Sequence, residues 1–152
     1  MKNEAGYDCV IQILRTANVL WRESRRFFRP FGITEAQFNI MNLLGQNPKG
    51  LSQRELSDHL VVDCSNITLL LDKMEKSKLV TRYPVPGDRR AHRVALTPKG
   101  EKLWEEVVPP YQKAIQSIIE KIPGSKLTQA SDVLKEVEKQ TPKWPELIRS
   151  KN

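Results

Sequence analysis

The stretch LSQRELSDHLVVDCSNITLLLDKMEKSKLVTRYPVPGDRRAHRVALTPKG, residues 51–100, contains the motifs that decide the fold. It opens with a capping box, in which Ser52 and Glu55 stand as the N-cap and N3 residues of a helix. Leu51 and Leu56 flank the box as a hydrophobic staple. The pattern predicts a helix that begins at Ser52 and ends at about Leu60.

A second helix is predicted directly downstream, where either Asp63 or Ser65 can serve as its cap. Four apolar residues follow the i, i+3, i+4, i+7 spacing of one buried helix face: Ile67, Leu70, Leu71 and Met74. Two helices joined by about three residues are typical of a helix-turn-helix.

A hairpin is predicted after the second helix. The segments Leu79 to Tyr83 and Arg93 to Thr97 are rich in β-forming residues, and they flank the turn-forming run 84–88, Pro-Val-Pro-Gly-Asp. Such a hairpin, placed directly after a helix-turn-helix, is a candidate wing.

Positive charge is concentrated around this wing. Residues 73–102 contain nine Lys or Arg and three Asp or Glu, a net charge of +6, whereas the whole chain carries +7. A one-sided excess of cations is expected of a surface that binds phosphates. Together with the helix-turn-helix pattern, it predicts a protein that binds double-stranded DNA.

In its motifs the chain resembles the MarR family of winged-helix transcriptional regulators. The resemblance rests on Leu79-Val80-Thr81-Arg82, Asp88-Arg89-Arg90 and Leu96-Thr97-Pro98-Lys99-Gly100, and it covers residues 8 to 140. Two positions depart from the family pattern: Leu69 replaces a basic residue, and Lys78 replaces a Gly.

We therefore predict a mainly α (α+β) fold in a single domain, residues 1–152. A winged helix-turn-helix core with a two-stranded wing spans 34–100, and dimerisation helices span 1–31 and 101–152. Helices are predicted from Tyr7 to Phe28, from a capping box at Thr34–Gln37, from Pro98 after a Thr97 cap, and from Leu127 to Val137. Pro109 and Pro110 are predicted to kink or interrupt the helix that contains them.

The terminal helices carry more apolar surface than one small core can cover. We interpret the surplus as the interface of a homodimer, which would place two recognition helices about one DNA turn apart on a pseudo-palindromic operator. The alternative is that these helices fold back onto their own core. The family resemblance also implies a dimer.

In the second helix, the apolar stripe points the remaining residues outward. Four of them are candidates for hydrogen bonds or methyl contacts to bases: Ser65, Asn66, Thr68 and Leu69. This face is weakly basic, so specificity is expected to depend on van der Waals contact and DNA shape. Asp72 and Lys76 also face outward, and the alternative for these two is an ordinary solvated face, on which they pair with each other at i, i+4.

In the wing, Arg90 is the first candidate for insertion into a minor groove, with Asp88 orienting its guanidinium. The resemblance implies the same roles. The alternative is a turn-stabilising ion pair between the two. Arg89 is expected to reach phosphate. Four more residues are candidates for positioning the DNA backbone, or are otherwise solvated charges: Arg54, Lys73, Arg82 and Arg93.

The resemblance also implies a pocket for aromatic acids or phenols between the dimerisation helices and the core. Five aromatic residues are candidates to line it, although aromatics at helical spacing more often belong to a core: Trp21, Phe28, Phe38, Trp104 and Tyr111. Some family members instead sense oxidants through a thiol. Cys64 lies at a predicted helix start, where the dipole lowers a thiol pKa, but an inert structural role for it is favoured.

Other classes of protein find little support. The chain has no glycine-rich phosphate loop, no G-x-S-x-G motif and no paired catalytic carboxylates, so neither an enzyme nor a cofactor is expected. Cys9 and Cys64 form no C-x-x-C pair, and with only two histidines a metal site is not expected. No signal region or apolar span of 18 residues occurs, so a cytoplasmic protein without a membrane partner is expected.

Two further functions remain as alternatives to a ligand-released DNA-binding repressor or activator. One is a winged-helix interaction module that uses its basic wing on an acidic protein or RNA. The other is a thiol-based redox-sensing regulator, with Cys9 or Cys64 as the sensor.

Overall fold

The structure, a computed structural model, describes residues 4–60, 67–85 and 87–141, with only the backbone described at 88–91. Helices are found at α1 Glu4–Phe28, α2 Glu35–Gly45, α3 Gln53–His59, α4 Ile67–Lys76, α5 Pro98–Ile119 and α6 Gly124–Gln140. A 3₁₀ turn, Arg29–Phe31, follows α1. The strands are β1 Leu51–Ser52, β2 Val80–Val85 and β3 Asp88–Leu96.

The chain divides into two compact units. The first, Met1–Tyr111, contains α1 to α4, the three strands and the beginning of α5. The second, Gln112–Asn152, contains the end of α5 and α6. The division of the domain at residue 101 into core and dimerisation helices stays a prediction.

Both predicted capping boxes are confirmed. The backbone N–H of Glu55 donates to Ser52 Oγ at 3.2 Å, and the backbone N–H of Ser52 donates to Glu55 Oε2 at 2.7 Å. The same reciprocal pair joins Thr34 and Gln37 at the start of α2. Each box satisfies two donors that a helix start leaves without intrahelical partners, which is why these helices begin where the sequence predicts.

The sheet has three strands in the order β1-β3-β2, all antiparallel, so the prediction of a two-stranded wing is incomplete. The added strand is short: Leu51 pairs with Val94 and Ser52 with Arg93. Two residues are too few to show an alternating pattern, and the same residues carry the stronger signal of a helix start.

The wing strands are longer than predicted. Pro84 and Val85 belong to β2 and Asp88 to β3, so three residues of the predicted turn lie in strands. Gly87 has φ +86°, and Pro86 lies outside the described residues. Pro84 is tolerated because β2 is an edge strand of the sheet, where a missing backbone donor need not break a ladder.

The core lies in the first unit and joins α1, α2, α3, α4, the sheet and α5. Of the predicted stripe on α4, Ile67, Leu71 and Met74 are buried and Leu70 is half-buried against them. Leu56 of the hydrophobic staple is fully buried. The helix-turn-helix is therefore held by the apolar residues that predicted it.

The helix α5 continues through Pro109 and Pro110, so of the two predicted outcomes, a kink or an interruption, the interruption is wrong and the kink stays a prediction. Each proline removes one backbone donor, which leaves the carbonyls four residues earlier, at Glu105 and Glu106, without that bond. Both glutamates are exposed, so water can reach this side of the helix.

Lys78 adopts the left-handed conformation at φ +60°, the position where the family pattern has Gly. Its N–H donates to Glu75 O at 2.9 Å, and the N–H of Leu79 donates to Met74 O at 2.9 Å. These two bonds form a Schellman motif, and Met74 and Leu79 are both buried, as its hydrophobic contact requires. The sequence thus places a lysine where glycine fits without steric cost.

Gly100 has the opposite constraint, a close approach. A Cβ atom on this residue would lie only 2.0 Å from the carbonyl oxygen of Leu79. The glycine of the L-T-x-x-G motif therefore allows the first turn of α5 to pack directly on the backbone that leaves α4.

We expect Lys78→Gly to stabilise the protein by about 1 kcal/mol, because a left-handed residue with a Cβ costs roughly that amount. The free energy of unfolding in urea measures the change. Lys73→Gly, in the exposed middle of α4, is the matched control and should destabilise by about 1 kcal/mol. Equal destabilisation by both substitutions would contradict the strain at Lys78.

Candidate nucleic-acid interface

The outward face of α4 is exposed as the apolar stripe predicts. Thr68, Lys73 and Lys76 are exposed, and Leu69 retains 49% of its maximal accessible surface. The other two candidates on this helix, Ser65 and Asn66, lie outside the described residues. The face therefore offers a hydroxyl, a large apolar side chain and two ammonium groups.

Gln53 joins the candidate interface residues, although the sequence analysis did not identify it. Its Nε2 donates to Thr68 Oγ1 at 2.7 Å and so links the first turn of α3 to the outward face of α4. Thr68 accepts this bond with its hydroxyl and keeps its own proton available for another acceptor. No sequence pattern predicts such a contact, because it depends on how the two helices cross.

Arg82 pairs internally, and this changes the interpretation of its neighbours. Its Nη1 lies 2.6 Å from Glu75 Oε2 and its Nη2 lies 2.7 Å from Asp72 Oδ1, while its backbone N–H donates to Glu75 Oε1 at 3.1 Å. The alternative in which Asp72 pairs with Lys76 is therefore corrected. Asp72 pairs instead with Arg82 of β2, because the chain turns back along α4 after the helix ends.

The pKa of Arg82 responds to this environment. Partial burial is the largest single effect and lowers the pKa, but the hydrogen bonds and charges of Asp72 and Glu75 together outweigh it, so the pKa is raised. The guanidinium stays charged at any relevant pH. Its role in the described structure is to join β2 to α4.

Arg93 is held inside the first unit too. Its Nη1 donates to the carbonyl of Gly50 at 2.5 Å, and its Nη2 lies 3.9 Å from Glu55 Oε1. The pKa of the Glu55 carboxyl lies below its ordinary value, chiefly because of the backbone amide of Ser52, then its hydroxyl, with Arg93 and His59 adding smaller effects. Arg54, by contrast, is exposed on α3 and free to face a ligand.

Asp88, Arg89 and Arg90 belong to strand β3. The sequence had predicted them on the turn of the hairpin. The base of the hairpin is anchored by Tyr83, whose hydroxyl donates to the carbonyl of Lys49 at 2.6 Å. The backbone of the D-R-R segment thus continues from an anchored base, in a hairpin whose other strand, β2, packs against α4.

The five aromatic residues proposed for a pocket do not form one group. Phe28, Phe38 and Tyr111 pack together with ring centroids 4.7 to 5.5 Å apart, and Phe28 and Phe38 are buried. Trp104 instead donates from Nε1 to Asn42 Oδ1 at 3.3 Å and covers Gly45, beside a cavity of about 260 Å³. Trp21 is half-buried on α1.

A second cavity of about 480 Å³ opens between α2, the end of α4 and α5. Phe31, Ile33 and Leu79 contribute its apolar wall, and Lys99 and Lys102 contribute positive charge. Lys99 Nζ already donates to the carbonyl of Ser77 at 2.9 Å. None of the five predicted aromatic residues lines this cavity.

The described residues contain one free thiol, which is exposed. Cys9 is exposed on α1, and Cys64 lies outside the described residues. Over residues 4–60, 67–85 and 87–141, no three His, Cys, Asp or Glu side chains come together as metal ligands. No helix in the same ranges is both long and apolar enough to cross a membrane.

Comparison with known proteins supports the resemblance found in the sequence. The model of the MarR family matches residues 33–92. A curated relative, the uncharacterised HTH-type transcriptional regulator YsmB of Bacillus subtilis, is 32% identical over 104 residues, which cover 68% of this chain and 70% of YsmB. Since the relative is a regulator, the expectation that the chain is not an enzyme is confirmed.

Two solved structures illustrate the likeness in fold. AbsC, a MarR family regulator of Streptomyces coelicolor, superposes with a TM-score of 0.82 at 20% identity, covering 91% of this chain and 95% of AbsC. CouR of Rhodococcus jostii, bound to p-coumaroyl-CoA, superposes with a TM-score of 0.75 at 25% identity, covering 86% and 91%. The mainly helical, winged-helix fold predicted from the sequence is confirmed, and this chain belongs to the MarR family of transcriptional regulators.

Proposed function

We propose that this protein is a sequence-specific regulator that binds double-stranded DNA as a homodimer on a pseudo-palindromic operator and is released by a small aromatic ligand. The observation that carries the proposal is the outward face of α4, where Thr68, Leu69 and Lys73 are exposed together next to a hairpin carrying Arg89 and Arg90. A helix with an exposed polar and apolar face beside a basic hairpin suits a major groove and its flanking phosphates.

Within this proposal the candidate residues take different roles. Thr68 and Leu69 contact base edges or thymine methyls, and so do Ser65 and Asn66, while Lys73 and Arg54 contact phosphates. In the wing, Arg90 enters a minor groove and Arg89 reaches phosphate. Arg82 and Arg93 leave the set of proposed phosphate contacts, because their guanidinium groups already bind acceptors inside the protein.

Substitutions in the wing and in the recognition helix should change DNA binding in different ways. We expect Arg90→Ala to weaken binding to operator and scrambled DNA alike and to reduce the magnitude of the salt slope by about one unit per lost phosphate contact. Thr68→Ala removes no charge. It should leave the salt slope unchanged and lower operator discrimination by roughly 1 to 3 kcal/mol.

Fluorescence anisotropy over a salt series, on a duplex selected from a random pool and its scrambled version, gives both quantities. Thr68→Ser is the matched control for the hydroxyl, and Lys126→Ala on α6 controls for the loss of one charge elsewhere. If Arg90→Ala leaves binding unchanged at every salt concentration, the wing does not contact DNA. Preference for RNA over duplex DNA would instead support the interaction module.

The proposal of a homodimer rests on apolar surface that the chain does not bury. In the first unit, α1 exposes Tyr7, Leu14, Val19 and Leu20. In the second unit, Ile115, Ile118, Ile122, Val133 and Leu134 are exposed, and α6 has no buried residue at all. So many exposed large apolar side chains on terminal helices are typical of a protein interface, and a second copy of the chain is the simplest partner.

We expect the wild-type protein to sediment as a dimer at micromolar concentration without DNA. Ile118→Glu should shift it to monomer and abolish two-fold operator protection, because a carboxylate in an apolar interface has to be desolvated. Gln116→Glu, on another face of the same helix, is the control and should leave the dimer intact. A monomeric wild type would refute the proposed dimer.

The aromatic effector is supported by chemistry and by one relative. The solved structure of CouR contains p-coumaroyl-CoA, the thioester of a phenolic acid. In this chain, Phe28, Phe38 and Tyr111 form an aromatic cluster where α1, α2 and α5 meet in the first unit. Tyr111 is half-buried, so a phenolic acid would reach these rings by displacing the Tyr111 side chain and stacking on them.

We expect a phenolic acid such as p-coumarate to release the protein from its selected duplex in the same anisotropy assay. Cyclohexanecarboxylate is the matched control, because it carries the charge but has no aromatic face. Equal release by both acids would show that charge alone acts, and release by neither would refute an aromatic acid of this class as effector.

A further inference from the structure

We propose that Arg82 is a positioning residue that fixes the direction of the wing relative to the recognition helix, and that operator discrimination depends on it. The proposal rests on the proposed function, since it concerns how the same interface selects its DNA. We call Arg82, Asp72 and Glu75 together the Arg82 cluster.

The geometry of the Arg82 cluster joins two different elements. Asp72 and Glu75 stand three residues apart on one face of α4, and Arg82 stands on β2. The guanidinium contacts both carboxylates, at 2.7 Å and 2.6 Å, and the backbone N–H of Arg82 adds a third bond to Glu75. Charge-assisted bonds to two acceptors fix a planar guanidinium in both position and orientation.

The cluster acts together with the turn that precedes it. The Schellman motif at Lys78 and Leu79 sets how the chain leaves α4. Tyr83 and Arg93 attach the base of the hairpin to the carbonyls of residues 49 and 50, but neither attaches it to α4. Arg82 adds a second attachment three residues further along the chain. Two attachments define a direction, so α4 and the wing behave as one body.

The charge balance of the cluster argues against a direct phosphate contact. One guanidinium faces two carboxylates, which gives the cluster a net charge of −1. The Arg82 side chain is only 24% exposed, whereas the side chains of Asp72 and Glu75 are 45% and 40% exposed. An approaching phosphate would meet the carboxylates first, and removing Arg82 would leave two unpaired acids near the proposed DNA surface.

Discrimination is the property that this rigidity affects. An operator is distinguished from other DNA when the recognition helix and the wing reach their separate grooves simultaneously. A hairpin free to pivot can still find phosphates on any duplex, so affinity for scrambled DNA persists. Disruption of the Arg82 cluster should therefore change the ratio of the affinities for operator and scrambled DNA, and should leave the salt dependence of binding unchanged.

The experiment compares Arg82→Met, Glu75→Gln and the double variant with Arg54→Met, a matched exposed arginine on α3. Each is titrated over a salt series on the selected duplex and its scrambled version. We expect Arg82→Met to lower the operator-to-scrambled ratio about tenfold with an unchanged salt slope, and Glu75→Gln to lower it in the same direction. The double variant should be no worse than Arg82→Met alone, because both substitutions break one unit.

Other outcomes would overturn the proposal. A fall of about one unit in the salt slope of Arg82→Met, with the ratio kept, would make Arg82 a phosphate contact like the one proposed for Arg54. An unchanged ratio in Glu75→Gln would also overturn it, because the loss of one negative charge by itself strengthens binding to both duplexes alike and leaves their ratio unchanged. Arg82→Lys can keep one of the two side-chain contacts, so it should fall between wild type and Arg82→Met.

A measurement without DNA separates this proposal from the proposed function. Hydrogen exchange of the free protein should quicken at the β2 amides in Arg82→Met and stay unchanged in α1. If wild type binds no duplex, the proposed function fails while quickened exchange still supports the attachment of the wing. Unchanged exchange at β2 refutes the attachment, whatever the DNA result.

Discussion

The backbone of Leu79 is the junction on which the rest of the first unit depends. Its N–H closes the end of α4 on Met74, and its carbonyl accepts the N–H of Thr97 at 3.1 Å where β3 passes into α5. Gly100 packs against that same carbonyl. The helix α4, the wing and the start of α5 are therefore joined at a single residue, and the close packing of Gly100 on the carbonyl of that residue accounts for the glycine of the L-T-x-x-G motif.

The wing is held at its base by three side chains, two of which, Arg82 and Arg93, the sequence analysis assigns to DNA. Arg93 binds the carbonyl of Gly50, Tyr83 binds that of Lys49, and Arg82 binds α4. Consequently the net charge of +6 over residues 73–102 overstates what can neutralise phosphates, since part of it is already paired within the fold. A basic stretch of sequence indicates a surface that can bind phosphates. The acidic side chains that the fold places beside it decide which Lys and Arg side chains are left unpaired for that binding.

The sequence predicted what depends on local spacing and missed what depends on how elements meet. The capping boxes at Thr34 and Ser52 and the stripe through Leu71 involve residues within two helical turns, so their patterns were readable. The strand β1 and the bond from Gln53 to Thr68 arise only after helices and strands have packed. The partners of Arg82 left a partial signal: two acids three residues apart on a helix, just before a strand with one arginine.

The outward face of α4 supplies little charge of its own for reading bases, and its composition suggests how selectivity arises. Leu69 occupies the position where the family pattern has a basic residue, and it is largely exposed. An apolar side chain there cannot form the bidentate bonds that read guanine, but it can select thymine methyls and exclude bulk. Contacts of that kind act only over short distances, so they discriminate only if the helix is presented in a fixed orientation. In the proposed interface, a rigidly attached wing therefore complements a weakly basic recognition face, because a fixed geometry compensates for the basic residue that the family pattern has at the position of Leu69.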